Sequence, residues 1–198
     1  LEGKPANNVL LYGDAGTGKS SAIKAIANAF ADQGLRLVEV KKNQLYQIPD
    51  LMDQLAANPL KFILFIDDLS FSSNDDNFAA LKAILEGSVG GRARNIAVYA
   101  TSNRRRLVRQ TFSDRAGDEV DAGETIQEKT SLSDRFGLRI PYLALNKAEF
   151  LDLVESLANQ AGVTMDREAL RADALKWEMR HPGRTPRTAK QFIASLSL

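Results

Sequence analysis

Cysteine is absent from the 198 residues, which excludes both a disulfide framework and a thiolate metal site. A single histidine, His181, excludes any multi-histidine centre. No apolar run approaches the ~18 residues of a membrane span. Neither sign of charge dominates: 26 basic and 25 acidic side chains leave a net charge of +1. Bulk attraction to nucleic acid or to an anionic membrane is therefore not indicated, although a local patch is compatible with this balance. The opening Leu1-Glu2-Gly3-Lys4-Pro5 lacks the charged and apolar regions of a signal peptide. Together these absences predict a cytoplasmic protein with no membrane partner. The residues that are present, 44% hydrophobic and 26% charged, suit one globular core, or one core with a small satellite.

Hydrophobic patterning supplies the organisation. Val9–Tyr12 reads as a short buried strand running into a glycine-rich turn. Ala22, Ile23, Ile26, Ala27 and Phe30 then recur at helical spacing until Gly34. Leu35–Val40 reads as a second strand, Asp50–Ala57 as a helix, and Phe62–Ile66 as a central strand covered on both faces. Phe78, Leu81, Ile84 and Leu85 mark a further helix closed by Gly87, and Ile96–Ala100 a further strand. Strands alternating with helices predict an α/β fold, a parallel sheet between helices. From Asn146 the character changes: Leu145–Leu157, Asp166–Met179 and Thr188–Leu196 look helical. The expected division is an α/β core over residues 1–145 and a small all-α lid over 146–198. Thr111–Lys129, rich in Asp, Glu and Gly, reads as a long surface loop.

Gly13-Asp14-Ala15-Gly16-Thr17-Gly18-Lys19-Ser20 fits the phosphate-loop pattern Gly-x-x-x-x-Gly-Lys-Ser/Thr at every fixed position, and it lies between a strand and a helix. The glycines let the backbone curl so that successive N–H groups point at phosphate oxygens. The next helix, entered through Ser20 and Ser21, adds its positive end. Lys19 is placed to reach the β- and γ-phosphates, and the Ser20 hydroxyl to ligate Mg²⁺. These residues predict binding of ATP or ADP with Mg²⁺. Asp67 and Asp68 end the most apolar strand, as a Mg²⁺ site beside a phosphate loop requires. Asp67 is expected to hold the metal, and Asp68 to act as general base on the attacking water. An ordinary strand-to-turn transition also favours Asp at this place.

With these motifs the chain resembles the AAA+ ATPases over essentially its whole length. Phe62–Leu69 looks like their Walker B strand, with Asp68 standing where the family usually has Glu. That Asp-Asp form is similar to the bacterial replication initiators and helicase loaders. Asn103, in Ala100-Thr101-Ser102-Asn103, matches the sensor 1 position, which orients the water and contacts the γ-phosphate. Ser131-Leu132-Ser133-Asp134-Arg135-Phe136-Gly137 resembles the box VII segment, so Arg135 matches the finger that enters a neighbouring subunit's site. Ser131-x-x-Asp134 further reads as a capping box that would put Arg135 on the first turns of a short helix. Gly183–Ala189 looks like sensor 2, and Arg187 would contact the γ-phosphate from the lid. Closer still, the loop, Ile66–Phe71 and Ala100–Arg105 resemble a bacterial family of predicted AAA+ ATPases without a settled cellular role. AAA+ proteins carry a segment ahead of the first strand that helps form the adenine pocket; this chain starts only a few residues before it, which predicts a fragment.

The resemblance implies an ATPase working as a homo-oligomer through Arg135, with a protein or DNA as partner. The alternative is a nucleotide-dependent loading switch with negligible turnover. The cluster Arg104-Arg105-Arg106 with Arg109 suits DNA phosphates, an acidic loop of a neighbour (Asp114, Asp118, Glu119, Asp121, Glu124), or simply solvent. His181 reads as a helix-end residue without catalytic role, and Trp177 as lid core.

Overall fold

The computed structural model describes residues 6–70, 77–86, 94–103, 132–181 and 183–196. Packing divides the chain into two units, Leu1–Tyr12 with Ser20–Pro141, and Gly13–Lys19 with Tyr142–Leu198.

The sheet is built on the apolar segments. Strands β1 (Val9–Gly13), β2 (Leu35–Glu39), β3 (Lys61–Ile66), β4 (Ile96–Ser102) and β5 (Leu138–Tyr142) lie in the order β2-β3-β4-β1-β5. Neighbours β2/β3, β3/β4 and β4/β1 run parallel, as the α/β reading required. Phe62–Ile66 is buried at every residue, which explains why it is continuously apolar: a strand covered on both faces has no side for polar groups. Leu10, Leu64, Ile66, Val98 and Ala100 from the strands meet Leu45, Ile48, Leu81 and Leu132 in one core. Each such large side chain contributes about 1.5–3 kcal/mol by leaving water.

Helices α1 (Lys19–Ala29), α2 (Ile48–Ala56) and α3 (Asn77–Glu86) connect the strands. Helix α1 stops before the expected Gly34. A 3-10 turn over Ala31–Gln33 follows, and Gly34 closes it in the left-handed conformation, donating its N–H to the Ala31 carbonyl. Helix α2 begins two residues ahead of Asp50, because Pro49 suits a first turn that needs no N–H there.

Strand β5 has no counterpart in the apolar patterning. It is an edge strand with Arg139 exposed and Pro141 inside it, and proline is tolerated at an edge because one side of the strand makes no ladder bonds.

The second unit has its own core. Helices α4 (Lys147–Ala161), α5 (Arg167–Glu178) and α6 (Pro186–Leu196) pack Phe150, Leu151, Val154, Leu170, Phe192 and Ile193 together. Helix α4 starts at Lys147, after the expected Leu145, because Asn146 caps it. The Asn146 side chain accepts from the Glu149 N–H while Glu149 reaches back to the Asn146 N–H, and left-handed Gly162 ends the helix. Asp166 caps α5 by accepting from the Glu168 and Ala169 N–H groups. Trp177 packs against this core and stacks on His181 with ring centroids 4.1 Å apart.

Candidate functional site

In the first unit, parallel register brings the carboxyl ends of β3 and β4 side by side, since Ile66 pairs with Ala100 and the next residues are Asp67 and Thr101. Ligands of open α/β sheets bind at such strand ends. Asp67 Oδ1 gathers three donors: the Ser20 hydroxyl at 2.7 Å, the Thr101 hydroxyl at 2.5 Å and the Asp68 N–H at 3.1 Å. Ser20, the last residue of the phosphate-loop motif, and Asp67, the first residue after β3, therefore touch directly. Asp68 Oδ1 accepts from Asn103 Nδ2 at 2.8 Å. Its backbone is left-handed, with φ 51°, a conformation that costs a non-glycine residue roughly 1–2 kcal/mol. Asp68 and Asn103 are exposed, whereas Thr101 is 1% exposed. The motifs do not single out Thr101 as a site residue. Its role depends on strand register, which no motif encodes.

Two oxygen ligands on adjacent elements suit Mg²⁺, which prefers hard oxygen donors and keeps several waters and substrate phosphates in its shell. No group of three or more His, Asp or Glu side chains able to hold a metal occurs among the described residues. An all-protein cage is thus not what these residues offer; Ser20 and Asp67 fit a cation shared with a phosphate.

In the second unit, Gly13–Lys19 curls as the motif predicts. Gly13, Gly16 and Gly18 all have positive φ. A Cβ on Gly13 would lie 2.1 Å from the Tyr142 carbonyl oxygen, so glycine is required there on space as well as on conformation. Asp14 ties the loop to the end of β5 and to the residues that follow it: its N–H donates to the Tyr142 carbonyl at 3.0 Å and its Oδ2 accepts from the Ala144 N–H at 2.9 Å. The Thr17 hydroxyl donates to the Asp14 carbonyl at 2.8 Å. Lys19 Nζ donates to the carbonyls of Gly13 at 3.1 Å and Asp14 at 2.7 Å. At the start of α6 the Thr185 hydroxyl accepts from the Thr188 N–H at 3.2 Å, while the Arg187 N–H donates to the Gly16 carbonyl at 3.2 Å. A helix-start donor without an intrahelical partner is thereby satisfied by the loop. The Arg187 side chain is exposed, and its guanidinium has no partner among the described residues.

Arg135 lies in the turn that follows the helical residues 132–134, not on the first turns of a helix as expected. Leu132 and Phe136 are buried in the core on either side of it, so the segment is anchored while Arg135 stays partly exposed. Arg135 Nη2 pairs with Glu86 Oε1 at 2.7 Å. Gly87, Ser131 with its capping box, the cluster Arg104–Arg106 with Arg109, and the loop 111–129 lie outside the described residues. No helix among the described residues is long and apolar enough to cross a membrane.

Comparison with known proteins agrees with this architecture. A family model described as "Protein of unknown function (DUF815)" matches residues 1–197. The magnesium-chelatase 38 kDa subunit of Rhodobacter capsulatus is 26% identical over 167 residues, covering 80% of this chain and 48% of that protein. Among solved structures, the Aeropyrum pernix ORC2 protein in ADPNP–ADP complexes is similar at a TM-score of 0.61 and 15% identity, covering 98% of this chain and 57% of that one. AMPPCP-bound DnaA from Aquifex aeolicus gives 0.60 and 13%, covering 99% and 57%. The Thermotoga maritima RuvB Holliday junction branch migration motor gives 0.58 and 16%, covering 97% and 54%. The chain thus spans about half the length of the relatives it matches. At these identities the structures share its fold, that of the AAA+ ATPases.

Proposed function

The chain belongs to the DUF815 family, and from that premise we propose that it is an AAA+ module that binds ATP with Mg²⁺ and hydrolyses it to ADP and phosphate. The observation that carries this reading is the 2.7 Å hydrogen bond from the Ser20 hydroxyl to Asp67. It joins the last residue of a complete phosphate-loop motif to the acid at the tip of a buried strand, as Mg²⁺ bound to a triphosphate requires.

In this reading the N–H groups of Gly13–Ser21 and the α1 N-terminus take the phosphates. Lys19 would turn from the loop carbonyls to phosphate oxygens, and Ser20 and Asp67 would hold a Mg²⁺ ion, which would supply charge to neutralise the transferring group. Asp68 accepts the proton of the attacking water, held in direction by Asn103. Arg187 supplies positive charge to the γ-phosphate from residues 146–198, the lid of a core spanning 1–145. Arg135 supplies it from a neighbouring subunit of a homo-oligomer, where a guanidinium at the developing charge is worth about 10³–10⁵ in rate.

Turnover would then drive motion on a partner in the cytoplasm, a protein or DNA. DNA is favoured by the likeness to a branch migration motor and by the arginines at 104–106. Stimulation of turnover by DNA, lost in Arg105→Ala, is the expected result if DNA is that partner. One observation favours a second reading, a loading switch with negligible turnover: Asp68 and Arg135 are both already engaged, by Asn103 and by Glu86.

Phosphate release by wild type, Lys19→Ala and Arg135→Ala over a range of protein concentrations separates the two. Turnover that rises with concentration and is lost in both variants supports the ATPase. Binding of ATP with no turnover at any concentration sinks it and leaves the switch.

A further inference from the structure

We propose that Thr101 is a positioning residue that locks the two acids following β3 into their separate roles, an inference that rests on the ATP-binding reading above. Its hydroxyl lies between two consecutive residues of the neighbouring strand end. It donates to Asp67 Oδ1 at 2.5 Å, and it accepts from the Asp68 N–H at 2.9 Å. The Thr101 carbonyl accepts from the Leu69 N–H at 2.7 Å, so one residue of β4 binds three consecutive residues after β3.

The consequences for the two acids differ. At Asp67, the donors from Ser20, Thr101 and the Asp68 amide all converge on Oδ1, and Oδ2 has no partner among the described residues. The carboxylate is thereby held with one oxygen saturated and the other offered, as a group that binds Mg²⁺ through its water shell needs. At Asp68 the effect is on the backbone. The φ of 51° is uncommon for a residue other than glycine, though Asp adopts it more readily than most, and the Asp68 N–H is shared between Thr101 Oγ1 at 2.9 Å and Asp67 Oδ1 at 3.1 Å. This backbone turn carries the Asp68 carboxylate to Asn103 at 2.8 Å. Only a β-hydroxyl does both, because it donates and accepts at once; valine, of the same shape, does neither. Thr101 is 1% exposed, and valine fills the same volume, so Thr101→Val leaves no space for a water in place of the lost oxygen.

The test compares Thr101→Val, Thr101→Ala and Thr101→Ser with wild type and Asp67→Asn. The readouts are the Mg²⁺ midpoint for binding a fluorescent ATP analogue, nucleotide affinity in excess chelator, phosphate release, and thermal unfolding. In Thr101→Val the Mg²⁺ midpoint is expected to rise about tenfold, the scale of one lost hydrogen bond to a charged group. Affinity without Mg²⁺ should stay within about twofold, since the loop itself is untouched. Thr101→Ser should restore both the midpoint and any turnover, and Thr101→Ala serves in place of Thr101→Val if the valine variant does not fold. A wild-type midpoint in folded Thr101→Val or Thr101→Ala, beside a lost or strongly weakened Mg²⁺ response in Asp67→Asn, overturns the role of Thr101 alone. A wild type that binds no nucleotide, or whose binding ignores Mg²⁺, overturns the functional reading and this inference with it.

Discussion

Glu86 Oε1 receives both Nε and Nη2 of Arg135, at 2.9 and 2.7 Å, so two nitrogens of that guanidinium share one carboxylate oxygen at the end of α3. Side-chain exposures of 25% and 43% place the pair near water, where an ion pair contributes only about 0.2–1 kcal/mol. Glu86→Gln is therefore expected to shift the urea midpoint little. If Arg135 acts on a neighbour, Arg135→Ala should lose about 10³-fold in turnover while keeping ATP affinity. Mixing Arg135→Ala with Lys19→Ala should restore activity, because some interfaces then pair an intact loop with an intact arginine. Equal activity of Arg135→Ala and wild type at all concentrations removes Arg135 from the chemistry.

Lys19 and Asp67 should fail in different ways. Lys19 Nζ donates to two loop carbonyls, and these are the bonds a phosphate must replace. Lys19→Ala is expected to weaken ATP binding roughly 10- to 100-fold, as removal of a charged hydrogen-bond donor does. Asp67→Asn keeps the shape but loses the charge that the metal needs. It should bind ATP in chelator as wild type does and show no Mg²⁺-dependent gain. Titration of a fluorescent nucleotide with and without Mg²⁺ distinguishes the two patterns.

Gly13 is confined by Tyr142. A Cβ there would stand 2.1 Å from the Tyr142 carbonyl oxygen with φ at 135°, whereas a Cβ on Gly18 would meet nothing within 4 Å. Gly13→Ala is expected to destabilise by at least about 2 kcal/mol and Gly18→Ala by about 1 kcal/mol, conformational strain alone. Urea unfolding gives both values, and an inverted order would show that the Asp14–Tyr142 contact is not held in solution.

The loop, the acids that follow β3 and the helices of the second unit are legible because each follows a local rule: fixed glycine spacing, a continuously apolar strand ending in Asp67-Asp68, and apolar residues at helical spacing, whereas the cap at Asn146 that sets the start of α4 is not read from spacing alone. The family match and the shared fold bear out the AAA+ resemblance and the α/β class. Strand β5 is not legible, since an edge strand owes its place to pairing with β1, and Pro141 within Leu138-Arg139-Ile140-Pro141-Tyr142 argues locally against a strand. Thr101 was read only as part of a segment containing Asn103. Nothing local marks its hydroxyl as the link between two acids 34 and 33 residues away.

Glu155 provides a pH test within the second unit. Its carboxylate takes hydrogen bonds from Arg167 and Arg171. The bond from Arg167, aided by that from Arg171, holds it below the usual glutamate range despite some desolvation. A depressed folded-state pKa means stability that is present above the ordinary value and lost as pH falls through the folded one. Unfolding followed by Trp177 fluorescence should therefore show a loss of stability on acidification below pH 4.5, the ordinary glutamate value. Glu155→Gln should flatten that part of the profile. An unchanged slope in Glu155→Gln would assign the acid sensitivity to other carboxylates.

Arg187 separates a structural contact from a chemical one. Its backbone N–H donates to Gly16 and its Cβ would lie 3.1 Å from a Cβ on Gly16, yet its guanidinium has no partner among the described residues. Truncation to alanine keeps the N–H, the helix start and the close approach, so the thermal midpoint of Arg187→Ala should match wild type. If the guanidinium meets the γ-phosphate, ATP affinity should fall about tenfold while ADP affinity holds, one charge-assisted hydrogen bond being at stake. Arg187→Lys should recover only part of the difference, because a point charge lacks the planar fork that pairs with two phosphate oxygens. Equal losses for ATP and ADP would place Arg187 elsewhere than at the γ-phosphate. Calorimetric titration of both nucleotides into the three proteins decides it.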